Sequence, residues 1–288
     1  MTWVTSPGLH LETSTGDIQS FQEIVIFSCI LYKKDTPEWE LRFWIFKRML
    51  SQAKCLKLRV VVVDDGTSPE FLAELKEFPN LVVVPGYENT QLNDLPNNMS
   101  ASRRFAAKKS TEIHRDAKYF MYMVPEKADM IDHDKINWII RQMRNSNALA
   151  AVIGRKNFDS LPDFQRRSEI RGNYRLNQIL HNDRKFTPLP EHINLEDQYD
   201  FFFGVWVFSR SGLEDFYLPY RGNKWSEDSV PLMKAIREVK DRVIKIIVDF
   251  KYPPEQMDFE KNANPQGYRG KRILQYWSII SQARHAIL

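Results

Sequence analysis

Cysteine is nearly absent: Cys29 and Cys55 are the only two in a chain of 288 residues. Two thiols cannot build a metal cage alone, and Cys29 stands in an apolar run where a buried thiol is an ordinary packing residue, so both are read as structural. Long apolar runs are missing too. None approaches the ~20 residues that a membrane helix needs, and the first residues carry no basic-then-apolar leader. No integral membrane segment is expected, and a cytoplasmic location is. Proline and glycine are spread along the chain instead of pooling in linkers, no tract is of low complexity, and no repeat marks a solenoid. His181, His192 and His285 lack ligand-like spacing and read as surface or structural residues.

Charge of one sign is also missing. The 41 basic residues are interleaved with 37 acidic ones, leaving a formal net charge of +4. That excess suits an anionic small ligand as well as nucleic acid. Aromatic residues fall mainly in apolar runs and no basic helix stripe is evident, so nucleic acid is not expected as a partner.

What remains is an alternation of short apolar runs and helical patterns. Residues 1–22 read as a poorly ordered lead-in, with the fold proper from 23 onward. Glu23 to Leu31 is a nearly continuous β-branched and aromatic run, the pattern of a strand covered on both faces. A helix follows from Pro37 to Leu50, then strand Leu58–Val63, helix Glu70–Phe78 and strand Leu81–Val84. The rhythm continues with helix Ser100–Thr111, strand Tyr119–Val124, helix Ile136–Met143 and strand Ala148–Ile153. Residues Phe158 to Leu195 show no clear period and read as loops and helices crossing the open face. Phe201–Phe208 reads as a strand, Pro231–Val239 as a helix and Val243–Val248 as the last strand. Lys251–Gly270 reads as polar and irregular, before a terminal helix Lys271–Ala286. The alternation predicts an α/β fold, a doubly wound, mostly parallel sheet with helices on both faces and an irregular C-terminal third.

In such sheets ligands bind beyond the carboxyl ends of the strands, so polar residues there carry most weight. Asp64-Asp65-Gly66 ends LRVVVV, where a carboxylate can accept hydrogen bonds from a ribose or base; a plain turn or helix cap reads equally well. Glu126-Lys127-Ala128-Asp129 follows YFMYMV and offers two carboxylates and a cation where a diphosphate can sit, or a solvated turn. Trp225-Ser226-Glu227-Asp228 leads into an apolar helix, and the preceding FFFGVWVF contains Gly204, which admits a ligand or another backbone. Arg103 and Arg104 open a helix and can clamp phosphate or sit on a solvated face. Residues 252 to 272 can shape an acceptor site, although their spacing specifies no chemistry.

Taken in order, IVIFSCILYK, VVVVDDGTSPE, NNMSASRRFAAKKS, the acidic segment after the fourth run, FFFGVWVFSRSGLEDF and WSEDSVPLMKAI resemble GT-A glycosyltransferases of the family-2-like group, over roughly residues 23 to 250. The resemblance implies one GT-A-like catalytic domain over 23–288, with a nucleotide-sugar half at about 23–155 and an acceptor half at about 156–288. It implies transfer of a sugar from a nucleoside-diphosphate donor to a saccharide or other hydroxyl acceptor, with inversion. It assigns nucleoside binding to Asp65 and Asp64, and acceptor activation to Asp228 with Glu227 beside it. The family's usual Asp-x-Asp is missing. Either Glu126, with Asp129, holds Mg²⁺ or Mn²⁺, which is the expectation here, or Lys127 neutralises the diphosphate directly and no metal is needed. Two other readings stay open: a non-catalytic nucleotide-sugar or carbohydrate-binding module, and a sugar-phosphate nucleotidyltransferase. The latter would use a Gly-rich phosphate loop near the first strand, and residues 23–35 contain no glycine.

Overall fold

The computed structural model describes residues 21–86, 99–182, 187–188, 190, 193–194, 197–222, 225–226, 229–263 and 265–288. Seven strands form one sheet in the order β3-β2-β1-β4-β6-β5-β7. They are β1 (Ile24–Ile30), β2 (Arg59–Asp64), β3 (Leu81–Pro85), β4 (Tyr119–Met123), β5 (Ala150–Arg155), β6 (Val205–Ser209) and β7 (Val243–Val248). β6 runs antiparallel to both of its neighbours, β4 and β5; every other pairing is parallel.

Strands this apolar must be covered on both faces, and they are. Successive residues of β1 alternate between two cores: Ile24 and Ile26 face one with Phe43 and Phe46 of α1 (Pro37–Cys55), while Val25 and Phe27 face the other with Ala106 and Ala107 of α3 (Met99–Ile113). α2 (Pro69–Leu75) and α4 (His133–Asn145) join the first layer. α5 (Asp163–Leu180), α6 (Val230–Glu238) and α8 (Pro265–Ile287) join the second. α7 (Pro254–Asn262) lies against α1 and α8. Phe21, ahead of β1, is buried edge-on against His133. Among the described residues no helix is long and apolar enough to cross a membrane.

Two expectations need correction. Phe201–Phe208 is not one strand: Phe201–Phe203 form a 3-10 turn that ends at Gly204 with φ +64°, and only then does β6 begin. That left-handed backbone is what the glycine supplies. Lys251–Gly270 is not irregular, because α7 fills part of it and α8 starts at Pro265, six residues before the expected Lys271. The buried positions of α7 are Gln256 and Glu260, so no apolar period marked it. Residues 158–195 hide the 18-residue α5 for the same reason. Gln165, Glu169, Asn173 and Asn177 recur every four residues on its buried face, where apolar side chains usually stand.

Candidate functional site

The chain runs from β1 outward to β2 and β3, then returns to place β4 on the other side of β1. This is the switch point at which an open α/β sheet leaves a crevice beyond its carboxyl ends. A cleft of about 340 Å³ opens there, with Asp65, Arg103, Glu126, Lys127, Trp225 and Arg272 among its lining residues. Its size suits a small-molecule ligand.

The two aspartates after β2 divide the work. Asp64 Oδ1 accepts from the Gly66 and Thr67 backbone N–H groups at 3.1 and 2.7 Å, so it closes the turn. Asp65 lines the cleft, and its Oδ1 accepts from Ser102 Oγ of α3 at 2.8 Å. Asp65 is exposed toward the cleft, yet the protein packed around its carboxylate pushes its pKa up to about 6; the Ser102 hydrogen bond opposes this and the Asp64 charge adds to it. Gly86 explains how β3 comes so near: a Cβ there would lie 2.6 Å from the Asp64 carbonyl oxygen and 2.9 Å from Asp65 Oδ1.

The two arginines of α3 also separate. Arg103 lines the cleft with its guanidinium 5.0 Å from the centre of the Tyr122 ring. Arg104 is not among the cleft residues; it donates to the Gly222 carbonyl at 3.4 Å, and burial lowers its pKa.

After β4, Glu126 and Lys127 face the cleft and Asp129 does not. Asp129 is bound to the Lys135 ammonium at 2.7 Å and accepts from the Lys251 backbone N–H at 3.0 Å. Glu126 is buried, with Oε1 3.6 Å from Arg42 Nη1 and 3.4 Å from the Tyr32 hydroxyl that donates to it, while Oε2 has no hydrogen-bond partner. Glu126 and Asp129 are thus engaged by different cations, and of the two only Glu126 lines the cleft. Among the described residues no group of three or more His, Cys, Asp or Glu side chains is placed to hold a metal ion. One carboxylate is neutralised by Arg42, the other by Lys135, and an ammonium stands between them in sequence. That donor set does not fit a divalent cation.

Lys127 is held by aromatic faces. Its Nζ lies 4.4 Å from the centre of Phe203 and 5.4 Å from that of Phe250. Burial, reinforced by the nearby Arg155 charge, pushes its pKa down to about 8. Glu227 and Asp228 lie outside the described residues. Trp225, two residues earlier, lines the cleft, and Ser229, just after, is buried at the start of α6.

Beneath the cleft runs an ion network that sequence reasoning missed. Arg42 reaches Glu38 at 2.9 Å, Glu126 at 3.6 Å and Glu260 at 3.4 Å, and Tyr252 donates to Glu260 at 2.9 Å. Arg272 approaches Glu260 at 3.9 Å and Glu169 at 3.7 Å. Arg155 contacts Glu169 at 2.7 Å and forms a two-pronged bond to Asp200 at 2.7 and 2.9 Å, while Asn173 donates to Asp200 at 2.6 Å. The paired carboxylates hold Arg42 and Arg155 firmly charged, raising both pKa values against the effect of burial. The network joins segments far apart in the chain, up to the 218 residues between Arg42 and Glu260; its local signals were the Glu38–Arg42 spacing and the four-residue polar period of α5. Cys29, expected as a buried packing thiol, is half-buried at the cleft wall because β1 ends there, and Cys55 is exposed.

No family model matches the chain, and no curated protein matches it in sequence. Solved structures do match its fold. The chain is similar to glucosyl-3-phosphoglycerate synthase from Mycobacterium tuberculosis in complex with phosphoglyceric acid, at 12% identity and a TM-score of 0.53, covering 96% of this chain and 86% of that one. It is similar to a second mycobacterial protein at 13% identity and a TM-score of 0.53, covering 96% and 80%. A putative nucleotide-diphospho-sugar transferase from Desulfovibrio desulfuricans matches at 10% identity and a TM-score of 0.44, over 91% and 98%. The first two likenesses establish a GT-A-like fold for this chain.

Proposed function

We propose that this chain transfers a sugar from a nucleoside-diphosphate donor to a hydroxyl acceptor, and that it does so without a divalent cation. The observation that carries the reading is the presence of a carboxylate, Asp65, and an aromatic-bound ammonium, Lys127, in one cleft at the sheet's switch point. Ionised Asp65 accepts from the donor's ribose hydroxyls or base N–H. Lys127 and Arg103, with Arg272 near them on the cleft wall, balance the diphosphate charge that grows as the sugar departs.

In the transfer, Asp228 takes the proton from the acceptor hydroxyl, with Glu227 beside it. The acceptor oxygen bonds to the anomeric carbon as the bond from that carbon to the phosphate oxygen breaks. The nucleoside diphosphate leaves with the electron pair, and attack from the opposite face inverts the anomeric centre. Trp225 on the cleft wall supports this assignment, since it carries the chain to the cleft just before Glu227. The likeness of fold to a glucosyl-3-phosphoglycerate synthase supports sugar transfer as the broad reaction class.

The test is incubation with a panel of nucleotide sugars, hydroxyl acceptors and EDTA, with release of nucleoside diphosphate as the readout. Release from one donor, lost in Asp228→Asn, is the expected result. Binding of a nucleotide sugar without any release would return the chain to the non-catalytic module.

A further inference from the structure

Away from the cleft, the surface between α5 and α8 holds a basic stripe that sequence reading did not detect. Arg167, Arg171 and Arg175 stand four residues apart on α5 and so share one face. Arg167 and Arg171 are exposed without an acidic partner, and Arg175 donates to Gln178 at 2.8 Å. Across a groove of about 650 Å³, α8 sets Ile273, Tyr276 and Trp277. Trp277 is 63% exposed, Leu274 66% and Ile273 48%.

Among the described residues, no acid meets Arg167 or Arg171. None lines the groove, and the 23 residues of α8 include none. Of the two acids on α5, Asp163 pairs with Arg166 at 3.0 Å and Glu169 is buried against Arg155. A further basic side chain, Arg269, lies over Phe164 at the groove, 5.4 Å from the ring centre.

Exposed tryptophan and branched aliphatic side chains beside arginines without an acidic partner, Arg167 and Arg171, are the composition of a surface that rests in a lipid headgroup layer. We propose that this face docks on an anionic bilayer. Trp277, Ile273 and Leu274 enter the interface, and Arg167 and Arg171 meet lipid phosphates. A second copy of the chain is the poorer occupant, because a symmetric pairing would set one arginine stripe against another. At 100° per residue, Lys271 and Gln275, which line the cleft, fall on nearly the opposite side of α8 from Ile273. Docking and cleft binding can therefore be separated experimentally.

The experiment is co-sedimentation of the full chain with phosphatidylcholine vesicles, with and without phosphatidylserine, at low and high salt. Thermal melts of each variant serve as the folding control. Binding to the serine-containing vesicles alone, weakened by salt, is expected. Arg167→Gln and Arg171→Gln should each weaken it about fivefold, and Trp277→Ser by about tenfold, with melts unchanged. No binding to either vesicle overturns the proposal. So does binding that tolerates Trp277→Ser while losing to the arginine changes, which would mark a general polyanion surface. Protection of Trp277 in a concentration-dependent dimer would overturn it as well.

Discussion

Ser102 donates a 2.8 Å hydrogen bond to Asp65 Oδ1, tying the first turn of α3 to the end of β2. The bond fixes where the carboxylate points and opposes the rise in its pKa, while the protein packed around the carboxylate pushes the value up to about 6. The second oxygen of Asp65 is what the proposed ribose or base contact uses.

Asp65→Asn should weaken nucleoside diphosphate binding about 10- to 100-fold, the loss of a hydrogen bond to a charged acceptor. In the unaltered protein, affinity should rise as pH climbs through about 6 and Asp65 ionises, and the variant should show no such rise. Stability runs the other way. A carboxylate with a raised folded-state pKa contributes stability that is fully present below the unfolded value near 3.8 and lost as pH rises through about 6. Calorimetric titrations and melts across that window check both signs.

Lys127→Met keeps most of the aromatic packing and removes the charge. It should abolish most of the diphosphate affinity while leaving the fold intact. The folded protein sheds the Lys127 proton near pH 8 and the unfolded chain near 10.5, so the unaltered protein should gain stability across that interval and the variant should not. Melts at stepped alkaline pH measure the difference.

Arg155→Leu leaves Asp200 buried without its cation and Glu169 with only the more distant Arg272. It should cost about 3–5 kcal/mol of stability. Lys34→Ala breaks an exposed pair with Glu70 and should leave stability nearly unchanged. Urea denaturation of the two variants, side by side, checks the contrast.

Gly86→Ala puts a methyl group 2.6 Å from a backbone oxygen that cannot rotate aside. The strain should destabilise the protein by about 1–3 kcal/mol. Because the same methyl group lies 2.9 Å from Asp65 Oδ1, nucleotide affinity should fall with stability. Denaturation and binding measured on one preparation separate the two effects.

The strands were legible because burial on both faces demands unbroken apolar runs, and β1, β2 and β4 supply them. The helices that bury polar faces were not. α5 turns Gln165, Glu169, Asn173 and Asn177 inward and α7 turns Gln256 and Glu260 inward, so neither shows an apolar period. At the site, strand ends pointed to Asp65, Glu126 and Lys127, all of which line the cleft. Reading them could not reveal that Asp129 turns to Lys135 or that Arg42 claims Glu126, since both contacts depend on tertiary placement. Glu227 and Asp228 fall outside the described residues, and their role rests on resemblance.

The central claim is that this cleft holds a nucleoside diphosphate through Asp65 and Lys127 with no divalent ion. The most direct measurement is thermal stabilisation by a panel of nucleoside diphosphates and nucleotide sugars, each in EDTA and again with Mn²⁺. The account predicts that one nucleotide raises the melting temperature in EDTA, that Mn²⁺ adds nothing, and that Lys127→Met removes the effect. Stabilisation by none of them, or only when Mn²⁺ is present, would contradict it.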